Sequence, residues 1–236
     1  MKNLMIYINP RWAFEGEYSQ LVRVQIDNSL TLGWEPGDIM LVTNFPYEYS
    51  RVRAMRADDD NFCTFDRRMS KINVIVDLFR RGLVEDGRIY WYHDFDAFQV
   101  GPITKDVLGL GMCDLGVTDL GWSRKLNTGS MFFGIGAADI FGSMREIIYE
   151  KKVLEETALE MMMEGGLAPG RYKVLDVAYN INMHRVESNL RKAEKPIKVL
   201  HFHPTKRGGY LMSKFSAAMN PGLRQAFAEA GISCIG

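Results

Sequence analysis

Cysteine is scarce in this chain, and the three present, Cys63, Cys113 and Cys234, have no clustered spacing and cannot all pair with one another. That argues against a disulfide framework and suggests no zinc site; reduced thiols of a cytoplasmic protein are the simpler reading. An excess of charge of one sign is also missing. Lys plus Arg and Asp plus Glu number 29 each, so no global field recruits nucleic acid or an anionic membrane, although a local basic patch is compatible with this balance. Long apolar runs are absent: the stretch from Met1 to Pro10 is too short for a secretory signal and reads as a first buried strand, and no membrane segment is expected. The acidic turn Asp58–Asn61 lacks EF-hand spacing, and the glycine-rich region from Leu108 to Gly121 lacks the strand-turn-helix order of a dinucleotide fingerprint. There is no internal repeat, linker or low-complexity tract.

What is present alternates between strand and helix patterns, as expected of an α/β protein. Leu4 to Ile8 reads as a central strand closed by Asn9-Pro10, Ser19 to Leu32 as a helix stopped by Gly33, and Asp38 to Asn44 as a second strand. Arg51 to Ala57 reads as a short strand with basic residues on one face. Ser70 to Leu83 has Ile72, Ile75, Val76 and Phe79 on one helical face, with Ser70 as candidate cap. Lys71 falls in the first turn of that helix, where a cation is disfavoured unless an anion is nearby. Ala138 to Met163 reads as one long helix, interrupted near Gly142, with Glu155 and Glu156 on its solvated surface. Tyr172 to Asp176 and Val199 to His203 read as later strands, and Asn220-Pro221 opens a C-terminal helix. A single domain over 1–210 with a helical extension over 211–236 is the expected organisation.

The most informative stretch is Ile89 to Phe98. Residues of high strand propensity run into Asp94-Phe95-Asp96, whose carboxylates lie on the same side, about 7 Å apart on an extended backbone and closer if the chain turns. One divalent cation spans that gap. The same spacing also suits solvated strand-end residues or turn caps. Asn127-Thr128-Gly129, placed before a further strand, implies a backbone held close to a ligand or partner strand, since Gly leaves room that no side chain would. His201 and His203 share one face of the late strand, ahead of the basic loop from Pro204 to Gly209.

In their order and separation, Asp94-Phe95-Asp96, Asn127-Thr128-Gly129-Ser130 and Val199-Leu200-His201-Phe202 with Lys206 beyond it resemble the nucleotide-sugar-dependent glycosyltransferases of the GT-A fold. The resemblance covers about Met5 to Gly208 and is greatest to the retaining glycogenin and galactosyltransferase branch. It implies a single Rossmann-like domain with a mixed, mostly parallel sheet flanked by helices. By the same resemblance Asp94 contacts the ribose and the metal, Asp96 binds the metal and His201 completes the protein ligands. Lys206 holds the diphosphate, Lys71 and Arg68 belong to a basic stretch that approaches the donor, Asn127 and Gly129 line the sugar pocket, and Asn180 is a later polar element of the site. The chain departs from the branch at Glu155-Glu156-Thr157, where an Asp-Gln pair is usual, and in the loop after His201, which lacks a Lys-Pro-Trp ending.

The chemistry of these residue types agrees with that expectation. A sugar diphosphate needs its leaving phosphates neutralised as the glycosidic bond breaks, and a cation on two carboxylates and an imidazole does so without an acid. Mn²⁺ suits mixed O and N ligands, with Mg²⁺ the alternative. Retention is the expected outcome, with Glu156 the carboxylate to test as nucleophile. The acceptor is a hydroxyl of unknown origin. Arginines near the motif leave hydroxymethylated DNA, as in bacterial-virus DNA modification, a minority candidate. Two rival classes are a metal-dependent nucleotidyltransferase or phosphotransferase and a non-catalytic binding protein on a degenerate transferase fold.

Overall fold

The computed structural model describes residues 1–167, 170–182, 185–202 and 221–229. In chain order the strands are β1 (Lys2–Tyr7), β2 (Ile39–Thr43), β3 (Glu48–Tyr49), β4 (Val52–Arg53), β5 (Met55–Arg56), β6 (Tyr90–His93), β7 (Ala97–Gln99), β8 (Leu115–Asp119), β9 (Leu126–Phe133), β10 (Tyr172–Leu175), β11 (Ile181–Asn182) and β12 (Val199–His201). The helices are α1 (Tyr18–Thr31), α2 (Ser70–Arg80), α3 (Lys105–Leu108), α4 (Ala138–Lys151), α5 (Glu155–Glu164), α6 (Val186–Lys192) and α7 (Pro221–Glu229).

A seven-stranded sheet in the order β10-β8-β9-β6-β1-β2-β5 forms the frame. All its pairings are parallel except those of β9, which runs antiparallel to both β6 and β8. Strand alternation fixes which residues serve which layer. Leu4 and Ile6 of β1 join the core with Ile72 and Ile75 of α2 and Phe141 of α4, whereas Met5 joins the opposite core with Leu21, Val22 and Ile26 of α1. Tyr90 and Trp91 on β6 are fully buried on opposite faces, as a central strand covered on both sides requires. Helices therefore flank the sheet, as expected from the sequence. Leu223 of α7 is buried, and this helix packs on α1.

A second sheet, β11-β12-β7, determines what happens after β6. The chain leaves the large sheet at His93 and enters the small one at Ala97, so Asp94-Phe95-Asp96 is the link between them. It is a turn, with the Ala97 N–H donating to the Asp94 carbonyl at 3.0 Å. The antiparallel register of β12 on β7 sets His201 opposite Ala97. His201 is thereby delivered next to Asp96 although it is distant in sequence.

Four sequence expectations need correction, and one strand went unread. Asn127 to Gly129 lie inside β9, not before it, with an irregularity in β8 between Val117 and Thr118. The glycine-rich region contains a strand, β8, that its composition conceals. The long helix is two helices. They part at Lys152, which adopts a left-handed φ of 54°, while Gly142 stays helical. Ser70 does not cap α2: Asp66 caps the preceding 3-10 turn, accepting from Arg68 N–H, and Ser70 Oγ accepts from the Cys63 N–H instead. The strand read over 51–57 is two short strands, β4 pairing with β3 and β5 extending the main sheet.

Candidate functional site

The turn between the sheets is held from three directions. Phe95, 5% exposed, points into an aromatic cluster with Tyr7, Phe14 and Tyr18, which leaves Asp94 and Asp96 on the cleft side. Gln25 of α1 donates Nε2 to the carbonyls of both Phe95 and Ala97, at 2.9 Å each, straddling Asp96. From β9, the Gly129 carbonyl accepts the Asp94 N–H at 2.9 Å. Buried main-chain groups are thus paired on either side of the carboxylates, and the turn cannot open without breaking several hydrogen bonds.

Asp94, Asp96 and His201 each offer a ligand atom within 4.8 Å of the others. His201 Nε2 lies 3.1 Å from Asp96 Oδ1 and 3.9 Å from Asp94 Oδ2. Its Nδ1 lies 3.2 Å from Asn180 Oδ1, and Asn180 Nδ2 donates to the Asn127 carbonyl. Donation from Nδ1 to Asn180 directs Nε2 toward the two carboxylates, the arrangement that would suit a metal-bound histidine. Burial alone would lower the His201 pKa, but the charge of Asp96, its hydrogen bond and the charge of Asp94 outweigh that and raise it. A cation at Nε2 would take the place of that proton, so the donor set fits a divalent ion of mixed oxygen and nitrogen preference.

Gly129 makes the cluster possible. A Cβ there would overlap the His201 ring, with Nδ1 at 2.6 Å, and would lie 3.1 Å from Asp94 Oδ2. The expected close approach at this glycine is met by site side chains. Gly129→Ala is expected to weaken metal binding at least ~10-fold, and to affect it before it affects folding. Calorimetric Mn²⁺ titration alongside a thermal melt checks this; unchanged affinity with a lowered melting temperature would make Gly129 a packing residue alone.

Lys71 is 6% exposed at the start of α2. Its ammonium sits 3.2 Å from Asp94 Oδ1 and 2.6 Å from Glu155 Oε1, so the anion that its helix position called for is there twice over. Burial would push its pKa down; Asp94 and Glu155 together hold it well above the ordinary lysine value. For Asp94, burial would raise the pKa, and Lys71 with His201 lowers it overall. Tyr92 donates its hydroxyl to Asp94 Oδ1 at 2.5 Å, and Thr128 Oγ1 donates to Glu155 Oε1 at 3.0 Å.

The sequence reading missed Glu155. Placed on a solvated helix surface, it is instead 4% exposed at the first turn of α5, where a carboxylate also meets the helix dipole favourably. Glu156 is half-buried beside it, its pKa raised by burial and then by the Glu155 charge.

Around these groups lies a cleft of about 480 Å³ lined by Tyr7, Asn9, Arg67, Arg68, Asn127 and Glu156, among others. It opens outside the carboxyl ends of β1 and β6, where open α/β sheets place ligands. Asn127 and Arg68 thus reach the same cavity as Lys71, Asp94, Asp96 and His201, whereas Gly129 and Asn180 support it from beneath. Lys206 and His203 lie outside the described residues.

His93 carries a pH signature. Wholly buried on β6, with Nε2 2.7 Å from Asn3 Oδ1, its pKa is lowered from 6.5 to about 4, chiefly by burial. The unfolded chain then binds the extra proton between those values, so stability is full above pH 6.5 and is lost as pH falls toward 4. The expected loss is about 3 kcal/mol. Thermal melts across this range should show a steeper decline for the native chain than for His93→Gln; parallel declines would remove His93 as the cause.

The mixed sheet, with the Asp94–Asp96 turn at the end of β6, defines a GT-A glycosyltransferase fold. Solved structures of this class bear it out: a glycosyltransferase involved in the glycosylation of the major capsid of PBCV-1 is 14% identical, with 85% of this chain and 93% of that chain covered and a TM-score of 0.59. The galactosyltransferase LgtC, solved with donor and acceptor sugar analogs, is 13% identical with 100% and 98% covered and a TM-score of 0.57. GlyE of Streptococcus pneumoniae TIGR4 is 13% identical with a TM-score of 0.60; it matches 99% of this chain, which spans 64% of that protein. No protein-family model and no curated protein sequence matches the chain. No helix among the described residues is long and apolar enough to cross a membrane.

Proposed function

We propose that this protein is a metal-dependent glycosyltransferase that moves a sugar from a nucleoside diphosphate sugar to a hydroxyl acceptor, with retention. The observation that carries the proposal is the convergence of Asp94, Asp96 and His201 at the floor of a cleft in a GT-A fold. Asp94, Asp96 and His201 would hold the cation, Mn²⁺ by preference or Mg²⁺. When bound, the cation supplies charge neutralisation for the departing diphosphate. Arg67 and Arg68 line the same cleft and add positive charge to it. Arg68 is oriented by a fork onto Asp66, and Lys206 is assigned to the diphosphate by resemblance. Asn127 lines the sugar end.

Glu156 makes no side-chain ion pair among the described residues, unlike Glu155, which Lys71 holds. It is therefore the carboxylate in the cleft available to attack or stabilise the anomeric centre from the face opposite the leaving group. Glu156→Gln is expected to slow transfer at least ~100-fold with donor KM little changed; equal losses in donor binding would assign it to positioning.

The arginines that suggested a DNA groove are partly committed elsewhere: Arg53 pairs with Glu48, and Arg80 and Arg81 both pair with Asp77. Modified DNA accordingly enters the test as one acceptor among several. A panel of nucleotide sugars is offered with simple glycosides, peptides and duplexes carrying 5-hydroxymethyl pyrimidines, and the products are read by mass spectrometry. Sugar transfer with release of nucleoside diphosphate supports the proposal; release of pyrophosphate would mark a nucleotidyltransferase, and no turnover, hydrolysis included, a binding protein.

A further inference from the structure

Asp94 presents its two carboxylate oxygens to different surroundings. Oδ1 is engaged by the Tyr92 hydroxyl, which donates at 2.5 Å, and by Lys71 Nζ at 3.2 Å. Oδ2 accepts no hydrogen bond from any described residue and faces His201 Nε2 at 3.9 Å. The partners of Oδ1 are themselves fixed. Tyr92 is 3% exposed within β6, and the Lys71 ammonium lies 5.3 Å from the centre of its ring. Glu155 grips the ammonium from the other side at 2.6 Å and is anchored by Thr128. The Asp94 main chain is tied to Gly129, so the carboxylate cannot turn by carrying its backbone along. Two donors on Oδ1 use both of its lone pairs, and one oxygen remains for a cation.

We propose that Tyr92 is a positioning residue that makes Asp94 a one-oxygen ligand and thereby sets which divalent cation the cleft prefers. The proposal rests on the reading of Asp94, Asp96 and His201 as the metal centre. Two carboxylates and an imidazole suit a six-coordinate ion of intermediate softness when the first carboxylate is restricted to Oδ2. Ca²⁺ takes six to eight oxygens and commonly uses a carboxylate in bidentate fashion, which the Tyr92 hydrogen bond denies it. In Tyr92→Phe the ring still fills its place and Lys71 still pairs with Asp94 Oδ1, but the second lone pair of Oδ1 is freed to join Oδ2 on a cation. The preference for Mn²⁺ over Ca²⁺ should then narrow, a change that a tyrosine serving only to fill space would not produce.

The test titrates Mn²⁺ and Ca²⁺ separately into the native protein, Tyr92→Phe and Asp96→Asn, alone and with each common ribonucleoside diphosphate. Mn²⁺ is followed by loss of the free-ion paramagnetic resonance signal and Ca²⁺ by calorimetry, all below the melting transition of the least stable variant. The expected result is Mn²⁺ binding by the native chain, its loss in Asp96→Asn, and Mn²⁺ affinity at least ~10-fold weaker in Tyr92→Phe, with Ca²⁺ affinity falling less or rising. The ratio of two affinities measured on one folded protein is insensitive to a modest loss of stability, so a lower melting temperature does not blur the outcome. Native and Asp96→Asn proteins behaving as stated while Tyr92→Phe keeps the native Mn²⁺ to Ca²⁺ ratio would overturn the role of Tyr92 alone. A native protein that binds no Mn²⁺ under any of these conditions would overturn the metal centre and, with it, this proposal.

Discussion

Asp96→Asn is expected to reduce sugar transfer at least ~100-fold while leaving the melting temperature close to the native value. The change is nearly isosteric, and the turn around it is held by main-chain hydrogen bonds from Gln25 and by the Phe95 ring, none of which uses the Asp96 carboxylate. What disappears is a negative charge 3.1 Å from His201 Nε2. Two effects then act together on the cation: one anionic ligand is gone, and the remaining carboxylate, Asp94, already shares its charge with Lys71. Transfer rates measured against Mn²⁺ concentration should show loss of both maximal rate and apparent metal affinity. An Asp96→Asn protein that transfers at the native rate with unchanged sensitivity to chelator would remove Asp96 from the metal set.

The parts of this site that could be read from sequence are those whose signal is local. Asp94 and Asp96 announce themselves because two carboxylates close an aromatic strand, and Gly129 because a glycine amid strand formers needs a steric reason. His201 was grouped with Asp94 and Asp96 by resemblance, but the contact that brings it there was not legible. It meets Asp96 through the pairing of β12 with β7, a contact between segments roughly a hundred residues apart that no periodicity encodes. Glu155 was misread for a related reason. Helical propensity runs smoothly from 138 to 163, yet the chain breaks at Lys152 in a left-handed conformation that neither Gly nor Pro marks. The break turns Glu155 from a mid-helix surface residue into the first residue of a buried helix end. The strand β8 was hidden because its Gly116 looks like loop composition. A Cβ there would meet Leu110 and Leu175, so this glycine serves packing inside the sheet. The position of Lys71 in a first helical turn did carry information, since a cation so placed asks for anions, but the sequence could not say which.

The largest expected loss of stability comes from that lysine. Lys71→Met leaves Glu155, 4% exposed, with Thr128 as its described hydrogen-bond donor and no counter-charge. It also deprives Asp94 of the larger of the two charges that lower its pKa. Removing one partner of a buried ion pair typically costs about 3–5 kcal/mol, because the survivor stays desolvated without compensation. For a chain of this length that corresponds to a drop in melting temperature on the order of 10 °C. If uncompensated charge is the cause, neutralising the survivor should reverse it. Lys71→Met combined with Glu155→Gln keeps the acceptor oxygen for Thr128 and removes the stranded charge, so the double variant should recover most of the lost stability. Activity should not return with it, because Asp94 still lacks the ammonium that holds Oδ1 and the cleft still lacks a positive charge beside Asp94 and Asp96. Melting curves and transfer rates on the two single variants and the double variant therefore separate folding from function at one residue. A double variant as unstable as Lys71→Met would assign the loss to packing of the lysine stem along Tyr92, and a double variant with native transfer rates would remove Lys71 from the reaction.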